Sequence, residues 1–419
     1  MKRVSRRTML LASGAIAVGA GITLRPGDNG AGGHSPYFAG ISAALKRVGI
    51  AQPTLVIDRQ RLDANIRTVR AALAPTNLAL RIVTKSLQAP ALLQAVMAGT
   101  GANRLMVFNG VMLDEMVRSQ PASDVLLGRP LPAMQVDEFL QRHASSPVSA
   151  AHPQWLVDSP QRLQQYVSVA QARGAPLRIN LEIDVGLHRG GLPDAKAVGE
   201  ILDIARTEKL VEVTGLMGYD AQVMGVPFPQ SELAHVKQRY ADARAVLASK
   251  LGRDPGKLTL NTAGSPTYML HLDDKAANEV ALGSGFVKPL DFDLDTLSHH
   301  VPAAFIAEPV LKALDPARIP TIESLSGVIA AIDPNSRKAF FAYGGYGDAE
   351  PVSPAGLEFS SLYGGRAMLT GSARVDLKQD DFIFFRPRES EGVFLQFGDL
   401  AVYDGGEIVA RWPTFPVAA

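Results

Sequence analysis

Three short segments carry residues that could do chemistry together. The first is Arg81-Ile82-Val83-Thr84-Lys85-Ser86, a β-branched run that ends on an amine. A primary amine at the end of a strand can hold an aldehyde, and in a parallel β/α barrel the C-terminal strand ends are where the chemistry sits. The second is Glu182-Ile183-Asp184-Val185-Gly186-Leu187-His188-Arg189-Gly190-Gly191, a strand end with two carboxylates and an arginine among glycines. Such a loop can approach a ligand closely. Glu182 and Asp184 stand two apart, so strand alternation predicts one shared face, with Asp184 nearer the strand end and the ligand; the alternative role for the pair is packing inside the fold. The third is a pair of strand ends, Asn261-Thr262-Ala263-Gly264-Ser265-Pro266-Thr267 and Val280-Ala281-Leu282-Gly283-Ser284-Gly285. Small hydroxylated residues and glycines leave backbone N–H groups free, which suits a phosphate. Taken singly, Lys85 could be an ordinary surface charge, since most lysines are.

The elements that must position these residues follow from hydrophobic periodicity. Pro53-Thr54-Leu55-Val56-Ile57-Asp58 reads as a buried strand, and Leu62, Ile66, Val69 and Leu73 follow at helical spacing. Further strands are expected at Leu78–Thr84, Arg104–Phe108, Val125–Leu127, Gln154–Val157, Leu177–Ile183, Val211–Met217, Leu258–Asn261 and Val280–Leu282. Helices fall between them, among others Ser159–Arg173, Ala195–Thr207 and Ser231–Leu251. That alternation predicts an α/β chain with a TIM-type (β/α)8 barrel. Beyond about His300 the texture changes to short runs separated by Gly, Pro and Asp turns: Val310–Leu314, Ile322–Ile332, Lys338–Tyr343, Ala367–Leu377, Asp381–Arg386, Gly392–Gln396 and Glu407–Arg411. These read as the strands of a C-terminal β-domain. Gly344-Gly345-Tyr346-Gly347-Asp348 is either a tight turn or a loop that brings Tyr343, Tyr346 or Asp348 over a bound ligand.

With these segments in this order, the chain resembles the fold-type III pyridoxal-phosphate enzymes, in particular the family of D-threonine aldolase and D-serine dehydratase, with alanine racemase more distant. The resemblance runs through nearly everything after residue 50 and includes Gly215-Leu216-Met217-Gly218-Tyr219-Asp220. It implies pyridoxal 5′-phosphate as cofactor, an internal aldimine on Lys85, Arg189 at the cofactor's phenolate oxygen, and Tyr219 lining the pocket, although Tyr219 could equally be a structural aromatic. It also implies cofactor binding by Gly264, Ser265, Thr267, Gly283, Ser284 and Gly285. The implied activity is that of a lyase on D-amino acids with a β-hydroxyl; the alternatives are an amino-acid racemase or epimerase with Lys85 opposite a tyrosine, and a pyridoxal-phosphate carrier without turnover. The β-domain of this fold usually completes the site through a homodimer. The relatives bind a divalent metal there through a histidine and a nearby Cys or Asp. This chain has no cysteine, and its histidines are His34, His143, His152, His188, His235, His271, His299 and His300, none of them in the β-domain. The expectation is therefore no metal of that kind, with Tyr219, His188 or a tyrosine near Gly344–Asp348 as the protein base. His299-His300 reads better as a domain-junction or solvated pair than as a ligand pair.

Composition narrows the partners. With 419 residues, 47% hydrophobic content and a net charge of +1, the chain suits a two-domain enzyme acting on a small molecule, and nothing in it favours nucleic acid. Paired arginines in Ser5-Arg6-Arg7-Thr8-Met9-Leu10-Leu11 precede an apolar, glycine-broken stretch and the linker Arg25-Pro26-Gly27-Asp28-Asn29-Gly30. This resembles a twin-arginine export signal, which implies a periplasmic protein without a stable membrane span after processing; the other reading is an uncleaved N-terminal anchor. The expected organisation is residues 1–30 as signal and linker, 31–300 as the barrel and 301–419 as the β-domain.

Overall fold

The computed structural model describes residues 26–145, 153–318, 323, 326–344, 348–360 and 367–416. The paired arginines and the apolar stretch behind them lie outside the described residues. Among the described residues no helix is long and apolar enough to cross a membrane. The chain divides into two compact units, each discontinuous in sequence. One takes the described residues within 1–57, 304–388 and 401–411, the other those within 58–303, 389–400 and 412–419.

The second unit is a closed barrel of eight parallel strands: β2 (Ala79–Val83), β3 (Arg104–Val107), β4 (Asp124–Leu127), β5 (Gln154–Val157), β6 (Leu177–Glu182), β7 (Val211–Met217), β8 (Thr259–Thr262) and β9 (Glu279–Leu282). These are the eight strands expected from the sequence after residue 77. Their burial is nearly continuous, as it must be when helices cover one face and barrel contents the other. The helices start and stop where local chemistry dictates. Asp58 caps Arg59–Leu73 by accepting the Arg61 N–H at 2.9 Å, and Leu62, Ile66 and Val69 form its buried stripe. Each such side chain contributes about 1.5–3 kcal/mol on burial. Pro160–Arg173 has Ser159 as its cap, proline at its first position, and Gly174 at φ 61° where it ends.

The lower half of the barrel interior is polar. Arg81 is fully buried and forks onto Glu279, with Nε–Oε1 2.5 Å and a second bond at 3.0 Å. Glu279 also accepts from Arg104 at 2.7 Å and from the Asn261 side-chain amide at 3.0 Å. Alongside, Gln154 donates to Thr259 at 3.0 Å and accepts from Thr214 at 2.9 Å. A buried charge is tolerated only when it is paired and hydrogen-bonded this fully. The network carries order from the barrel floor up to Asn261.

In the first unit, β1 (Thr54–Asp58), β10 (Ala304–Leu314), β11 (Lys338–Ala342), β12 (Ala349–Ser353), β13 (Glu358–Phe359), β14 (Met368–Gly371), β15 (Phe382–Pro387), β16 (Leu400–Asp404) and β17 (Glu407–Trp412) form one sheet in the order β13-β14-β11-β10-β1-β16-β17, with β15 pairing β10 and β12. Three sequence expectations are corrected here. Thr54–Asp58 is not a barrel strand: it runs antiparallel to β10, Leu55 opposite Ile306. A five-residue run buried throughout looks the same in either setting. Of the run Ile322–Ile332, the part Ser326–Ile332 is helix rather than strand; its Ala-rich end favours helix, and a short apolar run does not distinguish the two by period. Gly392–Gln396 is a 3-10 turn rather than a strand, because the Glu389 carboxylate accepts the Val393 N–H at 2.8 Å and curls the chain.

Candidate active site

A cavity of about 170 Å³ opens among the C-terminal ends of the barrel strands. Its lining includes Lys85, Ser86, Arg189, Tyr219, Asn261, Gly264, Ser265, Gly283, Ser284 and Glu391. Seven of the nine residues singled out from the sequence thus meet in one place: Lys85, Arg189, Tyr219, Gly264, Ser265, Gly283 and Ser284. Thr267 and Gly285 do not line it. The Thr267 hydroxyl is buried and donates to Asp220 Oδ1 at 2.6 Å, while the Gly285 N–H donates to Ser265 Oγ at 3.0 Å. Both shape the wall from behind.

Lys85 sits in the one-turn helix Thr84–Ser86 that ends β2. Its Nζ lies 2.6 Å from Glu391 Oε1 and 4.6 Å from the centre of the Phe108 ring, and a third of the side chain is open to solvent. Glu391 was not visible as a site residue from the sequence, because 306 positions separate it from Lys85 and its segment reads as a strand. The one local signal was the acidic run Glu389-Ser390-Glu391 before Gly392.

Arg189 reaches the cavity from a loop that is tied down at its root. Leu192 N–H donates to Glu182 O at 2.8 Å and Asp184 N–H to Leu192 O at 2.9 Å. The Asp184 carboxylate turns into the loop, accepting Gly186 N–H at 2.9 Å and His188 N–H at 3.0 Å, with His188 Nδ1 2.6 Å away. The expected order of the two acids is therefore reversed. β6 ends at Glu182, alternation stops there, and it is Glu182 that meets Arg189, at 3.6 Å. Burial raises the Glu182 carboxyl above its ordinary range, and Arg189 offsets part of that. His188 is exposed and spent on Asp184. The guanidinium of Arg189 lies 4.7 Å from the centre of the Tyr219 ring, a cation–π stack. Burial holds the Tyr219 phenol above its usual 10, with Arg189 pulling the other way, so at neutral pH it is a proton donor rather than a base. Tyr343, Gly344 and Asp348 belong to the other unit, and Gly345, Tyr346 and Gly347 lie outside the described residues.

The wall opposite is built to meet an anion. Ala263 takes a left-handed φ of 62°, turning the chain sharply at the end of β8. Ser265 Oγ accepts N–H groups of Gly283 and Gly285, both at 3.0 Å. A hydroxyl has two lone pairs and one proton, so this leaves the O–H to donate outward. Ser390, Ser284 and Ser86 form a hydroxyl chain with successive Oγ distances of 3.1 Å. At Gly264 a Cβ would come 2.4 Å from the Tyr219 ring, and at Gly283 one would come 2.8 Å from Ser86. Only glycine permits that approach. Behind the cradle His271 is buried between two carboxylates, its Nε2 2.7 Å from Asp220 and its Nδ1 2.9 Å from Asp274. His300, also buried, faces the Tyr268 hydroxyl at 2.7 Å, and burial pushes its pKa down to about 4.

The profile described as "Alanine racemase, N-terminal domain" matches residues 57–289, more than half of the chain. The chain belongs to that family. Its members are pyridoxal 5′-phosphate enzymes of fold type III. The fold is similar to that of a D-threonine aldolase from Filomicrobium marinum, with TM-score 0.71 and 18% identity over 87% of this chain and 94% of that one. It is also similar to D-threo-3-hydroxyaspartate dehydratase from Delftia sp. HT23, with TM-score 0.66 and 16% identity over 86% and 97%. For the alanine racemase of Bacillus anthracis the values are 0.62 and 12% over 86% and 97%. At such identities these likenesses concern the fold. No curated protein matches the chain in sequence. The cavity fits the family's cofactor: hydroxyl donors and glycine backbone can take the phosphate, Lys85 the aldehyde, and Arg189 an anionic ring oxygen.

Proposed function

We propose that this family member is a lyase acting on D-amino acids with a β-hydroxyl, of the aldolase or dehydratase type. Bound pyridoxal phosphate supplies an aldehyde for an amine and a conjugated ring that takes up the electron pair left at Cα. The chain's own residues do the rest. Ser265 and Ser86 donate to the phosphate, Ser284 orienting Ser86 by donating to its Oγ, with Gly264 and Gly283 admitting the anion. Arg189, fixed by Glu182 and Tyr219, holds positive charge at the ring oxygen and favours electron withdrawal. Lys85 carries the cofactor and, once displaced by substrate, moves the proton at Cα. The observation that carries the lyase reading is the Lys85–Glu391 pair, an amine and a carboxylate 2.6 Å apart in the same cavity.

Racemisation is the second reading, favoured by the protonated Tyr219 phenol in the cavity that holds Lys85. Incubating the purified protein and cofactor with D- and L-amino acids separates the two. Aldehyde, or ammonia with a keto acid, from D-β-hydroxy substrates supports the lyase; enantiomer interconversion without either overturns it. Borohydride reduction and peptide mapping should find the cofactor on Lys85. Binding without any turnover would indicate a carrier. We also propose a homodimer and export to the periplasm in folded, cofactor-loaded form, the latter resting on Arg6-Arg7.

A further inference from the structure

The cavity leaves one role unfilled, a base for the substrate's hydroxyl. Tyr219 is held protonated, His188 is outside the cavity and tied to Asp184, and Glu182 is held by Arg189. Glu391 differs from all three. It lines the cavity, its carboxylate is ion-paired with Lys85 Nζ, and its side chain is 42% exposed, open to an entering substrate and to water.

Its position is also fixed from both sides. The Glu389 carboxylate accepts the Glu391 N–H and, at 2.8 Å, the Val393 N–H, while Ser390 Oγ joins Ser284 Oγ at 3.1 Å. The segment is thereby tied to the anion cradle at one end and curled into a turn at the other. A carboxylate on such a mount stays aimed at the Lys85 amine.

We propose that Glu391 is the catalytic base for the β-oxygen of a β-hydroxy-α-amino acid in aldol cleavage. This rests on the lyase reading. While Lys85 is bonded to the cofactor its ammonium no longer neutralises Glu391, and before substrate displaces the lysine the carboxylate is free to engage the entering β-hydroxyl. It takes the proton of the substrate's β-hydroxyl. The O–H electron pair becomes the second bond of a carbonyl, the Cα–Cβ bond breaks, and its electron pair stays at Cα, where bound pyridoxal phosphate would take it up. The aldehyde leaves, Lys85 gives Cα a proton that it took from the substrate's ammonium on being displaced, and Glu391 releases its own to water. No electron is gained or lost overall.

The test compares wild type, Glu391→Gln and Glu391→Asp as cofactor-loaded proteins, with D-threonine and D-phenylserine for aldehyde release and D-alanine in deuterated water for α-proton exchange. Cofactor uptake by the cofactor-free proteins is followed by the visible band and by borohydride trapping on Lys85. Glu391→Gln should lose aldehyde release by about 100-fold or more, the range for a general base, and α-proton exchange by far less. It should still bind the cofactor stoichiometrically and take it up faster, because Lys85 is released from its ion pair. Glu391→Asp should recover part of the cleavage. Equal losses of exchange and cleavage would reduce Glu391 to a positioning residue for Lys85, and unchanged cleavage or slower uptake would also overturn the proposal. A wild type that exchanges D-alanine yet frees no aldehyde refutes the lyase reading itself, and that result is read before any variant is compared.

Discussion

Asp220 Oδ2 lies 2.7 Å from His271 Nε2, directly behind Tyr219 in sequence and behind the Gly264 turn through Thr267. Burial alone would lower the imidazole's pKa, but its hydrogen bonds to Asp220 and Asp274 outweigh that and push it up to about 9. The folded state therefore binds a proton that the unfolded chain, with an ordinary histidine, gives up near 6.5. This contribution to stability is complete below about pH 6.5 and is lost as pH rises through about 9, amounting to on the order of 3 kcal/mol. Calorimetry of wild type against His271→Asn should find the wild type's advantage shrinking over that window. An advantage that does not change with pH would show that the imidazole is not charged.

Gly264→Ala places a methyl against the Tyr219 ring, where the nearest carbon is 2.4 Å away. The ring must move, and Arg189 stacks on that ring. We expect a stability loss of about 1–3 kcal/mol, typical of overpacking, and cofactor binding weakened by tenfold or more, read by titrating the visible band. Binding at wild-type strength would mean that the ring yields without disturbing Arg189.

Chelation should leave turnover intact once a substrate is found, since no histidine follows His300, the chain has no cysteine, and His34, the histidine of the strand unit, is bonded to the Ser353 hydroxyl at 2.9 Å. Dialysis against a strong chelator, with metal content measured before and after, checks this. Activity that vanishes on removal of a stoichiometric ion and returns with it would call for a metal held by carboxylates.

Replacing Arg6 and Arg7 by lysine should retain the protein in the cytoplasm, as expected for the twin-arginine route. Cell fractionation with an antibody to the mature chain reads this out directly. Periplasmic accumulation of the lysine variant would rule that route out.

The barrel was legible because each of its strands is short, buried and followed by an amphipathic helix, so period and order agreed from Leu78 to Leu282. Lys85, Arg189 and the two glycine–serine ends were legible because strand-end position and the family resemblance pointed to the same place. What failed was whatever depended on tertiary choice. Thr54–Asp58 carries no mark of the sheet it joins. Asp184 was placed by extending strand alternation two residues past the strand's end at Glu182. Thr267 belongs by its residue type to an anion site, yet its hydroxyl is committed to Asp220. Glu391 was hidden most completely, since the acidic run Glu389-Ser390-Glu391 does not by itself indicate that the chain there closes back on a lysine at the end of β2.

The hydroxyl bond between Ser86 and Ser284 crosses the seam where the first barrel strand meets the last, β2 beside β9. The phosphate cradle is therefore the last part of the barrel that synthesis can complete. Residues some two hundred positions apart must both have emerged and docked before an anion has anywhere to bind. A chain that holds a phosphate between these two strand ends, as proposed, would already have closed its ring of strands.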